Sequence, residues 1–395
     1  MKRLLRGLGI LGLTASISGG CSSRGGIGHD SGDESGPQKV PSSSSSGSTT
    51  TTDAGSSPGP DAGLDSGSDA GIDSGVDSGS ISGDSGTMGP SSCRVGGSGM
   101  STCGASGESC CTSLDVPGGT YYRTYASSGG GPTGEADPAT VSGFRLDKYE
   151  VTVGRFRQFV NAWNGGAGWL PAEGSGKHTH LNGGKGLVDV GVDAGVAYEP
   201  GWATSDNGHV APTNANLACE SQFDTWTTSA GQNESLPINC VNWWESYAFC
   251  AWDGGFLPSE AEWEYASAGG SQQLDYPWGS TDPGTTNLYA IYDCFYPSGS
   301  GHCTGGAAPV GTATLGVGLW GQLDLAGNVN EWNLDWFAGY ADPCTDCAYL
   351  TAASYRVVRS GYFYNDPSYL LSAGRSDDPP AARSVCIGFR CARAP

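Results

Sequence analysis

The sequence predicts an α+β domain of largely irregular structure, with few short helices and strands and with disulfides as staples. Only three stretches carry helical signals, and the other aromatic-rich segments are cut short by Gly and Pro. Fourteen cysteines, nearly all beyond position 90, supply the third observation.

The chain opens with the basic run Met1-Lys2-Arg3-Leu4-Leu5-Arg6, then an apolar stretch from Leu8 to Ile17, then Ser18-Gly19-Gly20 ahead of Cys21. Residues 1–20 read as a signal peptide, too short to span a bilayer as a helix. Small residues directly before a cysteine resemble a bacterial lipoprotein signal. That predicts lipidation of Cys21, export, and attachment to an outer membrane or cell surface through the lipid anchor only; ordinary secretion is the alternative.

Residues 21–92 are Ser, Gly, Asp, Thr and Pro with almost no aromatics. Such a segment cannot bury enough apolar surface to offset its ordering entropy and is predicted to be a disordered, self-repelling tether. Residues 93–114, with Cys93, Cys103, Cys110 and Cys111, read as a cysteine-rich preamble whose pairing stays open, as does that of Cys219. Core-forming residues concentrate in residues 115–395, so one sizeable domain is expected. A formal charge of -21, from 19 Lys+Arg against 40 Asp+Glu, would repel phosphate backbones and anionic surfaces. Nucleic acid is excluded as a partner.

The first helix is expected near residues 150–163. Thr152 is placed to cap it, and Val153, Phe156, Val160 and Trp163 recur at helical spacing. The second runs from about Trp243 to Trp252 and stops at Gly254-Gly255. The third opens with Ser259-Glu-Ala-Glu262, a capping box in which Ser and Glu satisfy each other's orphan N–H groups, and ends near Gly269. Loops as long as the remaining ones need ligands, disulfides or ions to hold them.

So many cysteines suit an oxidising compartment, and the spacings mostly do not suit zinc. If Cys21 carries lipid, thirteen remain, which predicts a free thiol or an intermolecular bond. Cys344-Thr-Asp-Cys347 is read as a structural disulfide, because no basic neighbour is present to depress a thiol pKa for redox work. His178-Thr-His180 could form a metal pair but sits in a Gly-rich loop and is read as loop. Nucleophile-elbow, P-loop and H-E-x-x-H motifs do not occur.

Seven strings in order carry a family resemblance: Phe144-Arg-Leu-Asp-Lys-Tyr-Glu150-Val-Thr-Val153, Leu236-Pro-Ile-Asn-Cys240 running on to Trp252, Leu257-Pro-Ser-Glu260 running on to Tyr265, Tyr276-Pro-Trp-Gly279, Asp324-Leu-Ala-Gly-Asn-Val-Asn-Glu-Trp332, Arg356-Val-Val-Arg-Ser-Gly361 and Gly388-Phe-Arg-Cys391. Together they resemble the sulfatase-modifying-factor family, the formylglycine-generating enzymes and their relatives. The resemblance implies the irregular, C-type-lectin-like formylglycine-generating-enzyme fold. It also implies structural calcium held by Asp324, Glu331 and the carbonyls of Gly327 and Val329; two carboxylates around a Gly turn offer the hard oxygens calcium requires. The alternative is that both acids only brace the turn. A second ion site would fall on Asn287, Leu288 and the segment around His302, where the expected carboxylate is missing. Glu150 could contact an ion or supply charge to a helix N-terminus.

Catalytic family members oxidise a substrate cysteine through two cysteines that bind copper(I). Here Asn365 and Leu370 stand at those positions, and no cysteine occurs between Cys347 and Cys386. Soft copper(I) wants thiolates, so copper is not expected. The resemblance pairs Cys250 with Cys391. Cys240 with Cys386 and Cys294 with Cys303 are the other expected bridges, beside Cys344 with Cys347. Tyr362, Tyr364 and Tyr369 follow the same turn and are expected either in the core or lining a ligand groove. The expected function is a surface-tethered pseudoenzyme that binds a peptide, protein or glycan without oxidising it. The alternative is a formylglycine-generating oxidase acting on a sulfatase cysteine.

Overall fold

The computed structural model describes residues 89–125, 136–192, 195–299, 301 and 303–395. The signal peptide, Cys21, most of the tether and His302 lie outside the described residues. Among the described residues no helix is long and apolar enough to cross a membrane.

The chain forms β1 (Ser113–Val116), β2 (Gly119–Tyr122), β3 (Pro138–Val141), β4 (Phe144–Asp147), α1 (Val153–Trp163), β5 (Val188–Asp189), β6 (Ala197–Tyr198) and α2 (Asn214–Leu217). There follow α3 (Trp243–Trp252), α4 (Glu260–Ser267), β7 (Asn330–Trp336), β8 (Cys344–Thr345), β9 (Cys347–Ala348), β10 (Arg356–Arg359), β11 (Ser376–Asp378), β12 (Ile387–Gly388) and β13 (Ala392–Arg393). They assemble into four small sheets of order β1-β4-β13, β11-β10-β7-β12, β2-β3-β8 and β6-β5-β9. This is the expected α+β domain with few short elements.

All three expected helices form, and the two with an expected cap start where that cap predicts. Thr152 Oγ1 accepts the Arg155 N–H at 3.2 Å ahead of α1, and Asn164 ends that helix at φ 44°. Ser259 and Glu262 form the expected reciprocal box before α4. Asn242 and Glu245 form another before α3, and α2 is a fourth, single-turn helix that the periodicity did not announce. The core is aromatic: Phe156 stacks on Phe249 at 5.7 Å, and Phe249 meets Phe389 edge-on at 5.4 Å. All eight residues of α4 are buried, glutamates included, so its polar faces must find partners inside the protein.

The preamble packs against α1. Thr152 Oγ1 donates to the Gly99 carbonyl, and Arg155 reaches the Cys110 carbonyl at 3.1 Å. Arg155, wholly buried, pairs with Asp147 and Asp253 at 3.0 and 2.8 Å. Asp253 also accepts the Ser92 N–H at 2.7 Å and pairs with Arg393 at 2.8 Å. One carboxylate thus receives both ends of the domain.

Disulfides join Cys93–Cys111, Cys103–Cys110, Cys219–Cys240, Cys250–Cys391, Cys294–Cys303 and Cys344–Cys347. The expected Cys240–Cys386 bridge is corrected. The two backbones are neighbours, with the Cys240 N–H on the Ser384 carbonyl at 2.9 Å, but Cys240 bonds Cys219 across a loop of sequence separation 21. That loop is folded back by Thr225, whose N–H donates to Asn239 Oδ1 at 2.9 Å and whose hydroxyl donates to the Pro237 carbonyl at 2.8 Å. The free thiol expected from an odd count is not found among the described residues. Cys250–Cys391 ties α3 to the C-terminus over a separation of 141 residues. In the chain-entropy account a loop that long is worth about 4–5 kcal/mol.

Candidate functional site

The site is built on the turn leaving β10. Ser360 and Gly361 both have positive φ, at 94° and 74°. A Cβ on Gly361 would sit 2.9 Å from the Tyr369 carbonyl oxygen, which fixes glycine there. The turn's base is Arg359, fully buried. Its Nη2 donates to Glu260 Oε1 at 2.6 Å, Glu264 Oε2 at 2.8 Å and the Tyr340 hydroxyl at 2.7 Å. Burial would push Glu260 up, yet the guanidiniums of Arg375 and Arg359 hold it at about 2. For Glu264 burial wins over Arg359, and the carboxyl is pushed up to about 7.

Asn365 is locked into the turn. Its Oδ1 accepts the Tyr362 N–H at 3.0 Å, its N–H donates to the Tyr362 carbonyl at 2.9 Å, and its carbonyl accepts the Asp293 N–H at 2.8 Å. Leu370 is buried among Ala290, Tyr292 and Ala326. An internally bonded amide and a buried alkyl chain offer no thiolate, so these residues do not fit copper(I). Of the three expected groove tyrosines, Tyr362 belongs to the main core, while Tyr364 is 57% exposed and Tyr369 half-buried. Tyr364 stacks on Tyr362 at 6.5 Å and 15°.

The expected ion loop lies behind this turn. Gly327, at φ 83°, approaches Ile291 so closely that a Cβ would meet that residue's carbonyl oxygen, and its own carbonyl accepts the Ser360 hydroxyl at 3.1 Å. Glu331 accepts Arg390 on both oxygens, at 2.8 and 2.7 Å, and Trp263 Nε1 at 2.8 Å. Asp324 accepts the Gly311 N–H at 2.6 Å, and its carbonyl accepts Arg390 at 2.9 Å. Glu150 reaches over from the entry to α1 to accept Asn328 Nδ2 at 2.6 Å and the Val329 N–H at 3.2 Å. Its carboxylate therefore serves the loop, not the helix terminus. Burial, then the charges of Asp324 and Glu331, push Glu150 well up, and burial raises Asp324 to about 6.

Three buried carboxylates thus share one guanidinium. The donor chemistry, all oxygen with carboxylates in excess, fits a hard divalent cation. Glu331 Oε2 is filled by Arg390 and Trp263, whereas Oε1 accepts Arg390 alone and keeps a lone pair. Among the described residues no group of three or more His, Cys, Asp or Glu side chains is arranged to hold a metal. At the second expected site, Asn287 Oδ1 is buried without a partner, and the Leu288 carbonyl accepts the Leu315 N–H at 2.8 Å.

Cys344 and Cys347 are buried and bonded, and the strands they begin pair with β3 and β5, so the bridge joins two sheets. His178 and His180 do not act as a pair. His178 is clamped between Glu199 at Nδ1 and Glu262 at Nε2, each at 3.0 Å. Against the downward pull of burial, these two carboxylates raise it to about 10. Both nitrogens of His180 are buried without a partner, and burial pushes its pKa down. The sequence reading missed this clamp and both arginine clusters. One signal could have pointed to the Arg359 cluster: Glu260 and Glu264 are four apart, on one helix face.

The family model described as the sulfatase-modifying factor enzyme 1-like domain matches residues 102–395. The chain is 31% identical over 270 residues to the formylglycine-generating enzyme of Mus musculus, covering 64% of this chain and 66%, just under two thirds, of that protein. To the formylglycine-generating enzyme of Streptomyces coelicolor it is 32% identical over 298 residues, covering 70% and 87%. To the inactive C-alpha-formylglycine-generating enzyme 2 of Mus musculus it is 34% identical over 298 residues, covering 71% and 84%.

Proposed function

Because the chain belongs to the sulfatase-modifying factor family, we propose that it is a non-oxidising member that binds a peptide, protein or glycan at the turn after β10. A single observation carries this reading: Asn365 and Leu370 stand at the positions where catalytic members have cysteines, and each is committed to the fold, one by hydrogen bonds and one by packing. The likeness to a relative named as inactive supports it. What remains on the turn is a binding surface: Tyr364 open to solvent, Tyr369 half-open, and Arg359 bracing the backbone from below. The lipoprotein-like N-terminus supports display of that surface outside a membrane by way of the tether.

The second reading, a formylglycine-generating oxidase, is favoured by the identity to active enzymes. One assay decides. The purified chain, with copper(I) and oxygen, is incubated with a peptide carrying the family's Cys-x-Pro-x-Arg motif. Mass spectrometry should find no formylglycine above a copper-only blank; turnover above the blank would sink the binding reading.

The same proposal includes structural calcium at Asp324, Glu331 and the carbonyls of Gly327 and Val329, where it would offset the carboxylate excess around Arg390. Saturating calcium at 100 times its dissociation constant adds about 2.7 kcal/mol, so a chelator should lower the melting temperature by about 5–10 °C. An unchanged melting temperature would remove calcium from the proposal.

A further inference from the structure

We propose that the face made by Leu288, Leu315, Val317 and Leu319 is the contact surface for a second copy of this chain, the two copies meeting antiparallel about a two-fold axis at Val317. Eight large hydrophobic side chains are exposed among the described residues, and these four, each 41–46% open to solvent, lie together. Leu315, Val317 and Leu319 alternate with Gly316 and Gly318, and burial alternates with them: the aliphatic residues are exposed and both glycines are buried. A Cβ on Gly316 would collide with the Tyr289 carbonyl, and one on Gly318 would press on Leu325 at 3.3 Å. The backbone therefore lies flat against the domain on its glycine side, which leaves the three aliphatic chains no face but the solvent one. That inverts the ordinary pattern, in which the apolar set of an alternating segment faces the core. Leu288 extends the same patch, since its carbonyl accepts the Leu315 N–H at 2.8 Å.

The surroundings of the patch decide what covers it. From Gly305 to Leu323, and again from Pro283 to Tyr292, the sequence has no Asp, Glu, Lys or Arg, in a chain of formal charge -21. The exposed polar neighbours are Thr285, Thr286 and Thr314. An uncharged apolar centre inside an uncharged polar rim lets two strongly like-charged copies meet without setting carboxylate against carboxylate. A lipid surface is disfavoured by the same composition. Interfacial binding draws on Lys and Arg beside the apolar face, and so negative a chain is repelled by anionic lipid.

The sequence carries the symmetry as well. Leu315-Gly-Val-Gly-Leu319 reads the same in both directions. Turned about Val317, a second copy sets its Leu319 against Leu315 and its Val317 against Val317, the self-complementary pairing that an isologous interface requires. Four half-exposed side chains fall short of the roughly 20–30 residues a side of a stable dimer, so the contact is weak in free solution. It gains where copies are crowded, as chains tethered to one membrane would be.

Sedimentation equilibrium tests this on the full chain carrying Cys21→Ser, so that no lipid drives association. Over about 10 μM to 1 mM the weight-average mass should climb toward that of a dimer. The climb should be steeper at about 0.5 M salt than at about 0.05 M, because screening relieves the like-charge repulsion. Val317→Asp and Val317→Lys are exposed substitutions whose folding is checked by thermal midpoint. Each should weaken association about tenfold or more, by setting like charges together at the axis. An equimolar mixture of the two should restore it, since two-fold register brings Asp against Lys. A native chain that stays monomeric throughout, association that survives either charge, or a mixture as weak as its components would each overturn the two-fold contact. A monomeric chain that instead floats with phosphatidylcholine vesicles, and ceases to in Val317→Asp, would overturn it in favour of a lipid surface.

Discussion

Replacing Arg390 by alanine should lower the unfolding free energy by about 3–5 kcal/mol, the cost of removing one partner from a buried charge pair. Arg390 is fully buried and spends its donors on both oxygens of Glu331 and on the carbonyls of Asp147, Lys148, Leu323 and Asp324. Its loss strands Glu331 beside Glu150 and Asp324 without a cation. Arg390→Lys should recover only part of the loss, since an ammonium on a single point cannot span acceptors that a planar fork reaches together. The deficit should shrink in acid, where the stranded carboxylates take up protons. Urea unfolding of the three proteins at two pH values measures all of this. A loss below about 1 kcal/mol for the alanine variant, the range of exposed pairs, would show that the Arg390 cluster does not stabilise the fold as a buried ion pair.

His178 makes the second large effect, and it depends on pH. Its pKa in the folded protein is about 10, against an ordinary value near 6.5. The folded state holds this proton more tightly, so the stabilisation is complete below about pH 6.5 and is lost as pH rises through the folded value. The gap sets an upper bound of about 5 kcal/mol. Glu264 and Asp335 are also raised, each to about 7, and lose their contributions earlier, as pH climbs from the ordinary carboxylate range to 7. Between about pH 7.5 and 9 the imidazolium dominates, opposed toward pH 9 by Arg356, which burial lowers to about 9 and whose contribution grows with pH. Urea midpoints of the native chain should fall across the interval, while those of His178→Gln should start lower and not fall. A flat native profile would mean that the His178 sandwich is neutral.

How legible these features were in the sequence follows from the distance over which each is determined. Helix starts are local: Thr152 and Ser259 announce α1 and α4 within four residues. Strands of two residues, such as β5, β8 and β12, have no period to read and exist because a partner backbone lies alongside. The carboxylates of the ion loop were legible as a turn with acids at its ends. The arginine that governs them was not, because Arg390 lies 59 residues from Glu331. Arg359 and Glu260 are 99 apart, and His178 meets partners 21 and 84 residues away. Only the Asp324–Glu331 turn and the two substituted cysteine positions were within reach of motif reading. The misassigned Cys240 bridge has the same origin, since a loop that folds back on itself leaves no mark in cysteine spacing.

The sharing of Asp253 by Ser92 and Arg393 has a mechanical side. Traction arriving through the polypeptide at residue 92 is delivered next to the point where the domain ends, not across its middle. It is met by a knot of two arginines on one carboxylate, with the Cys93–Cys111 and Cys250–Cys391 bonds close by in sequence.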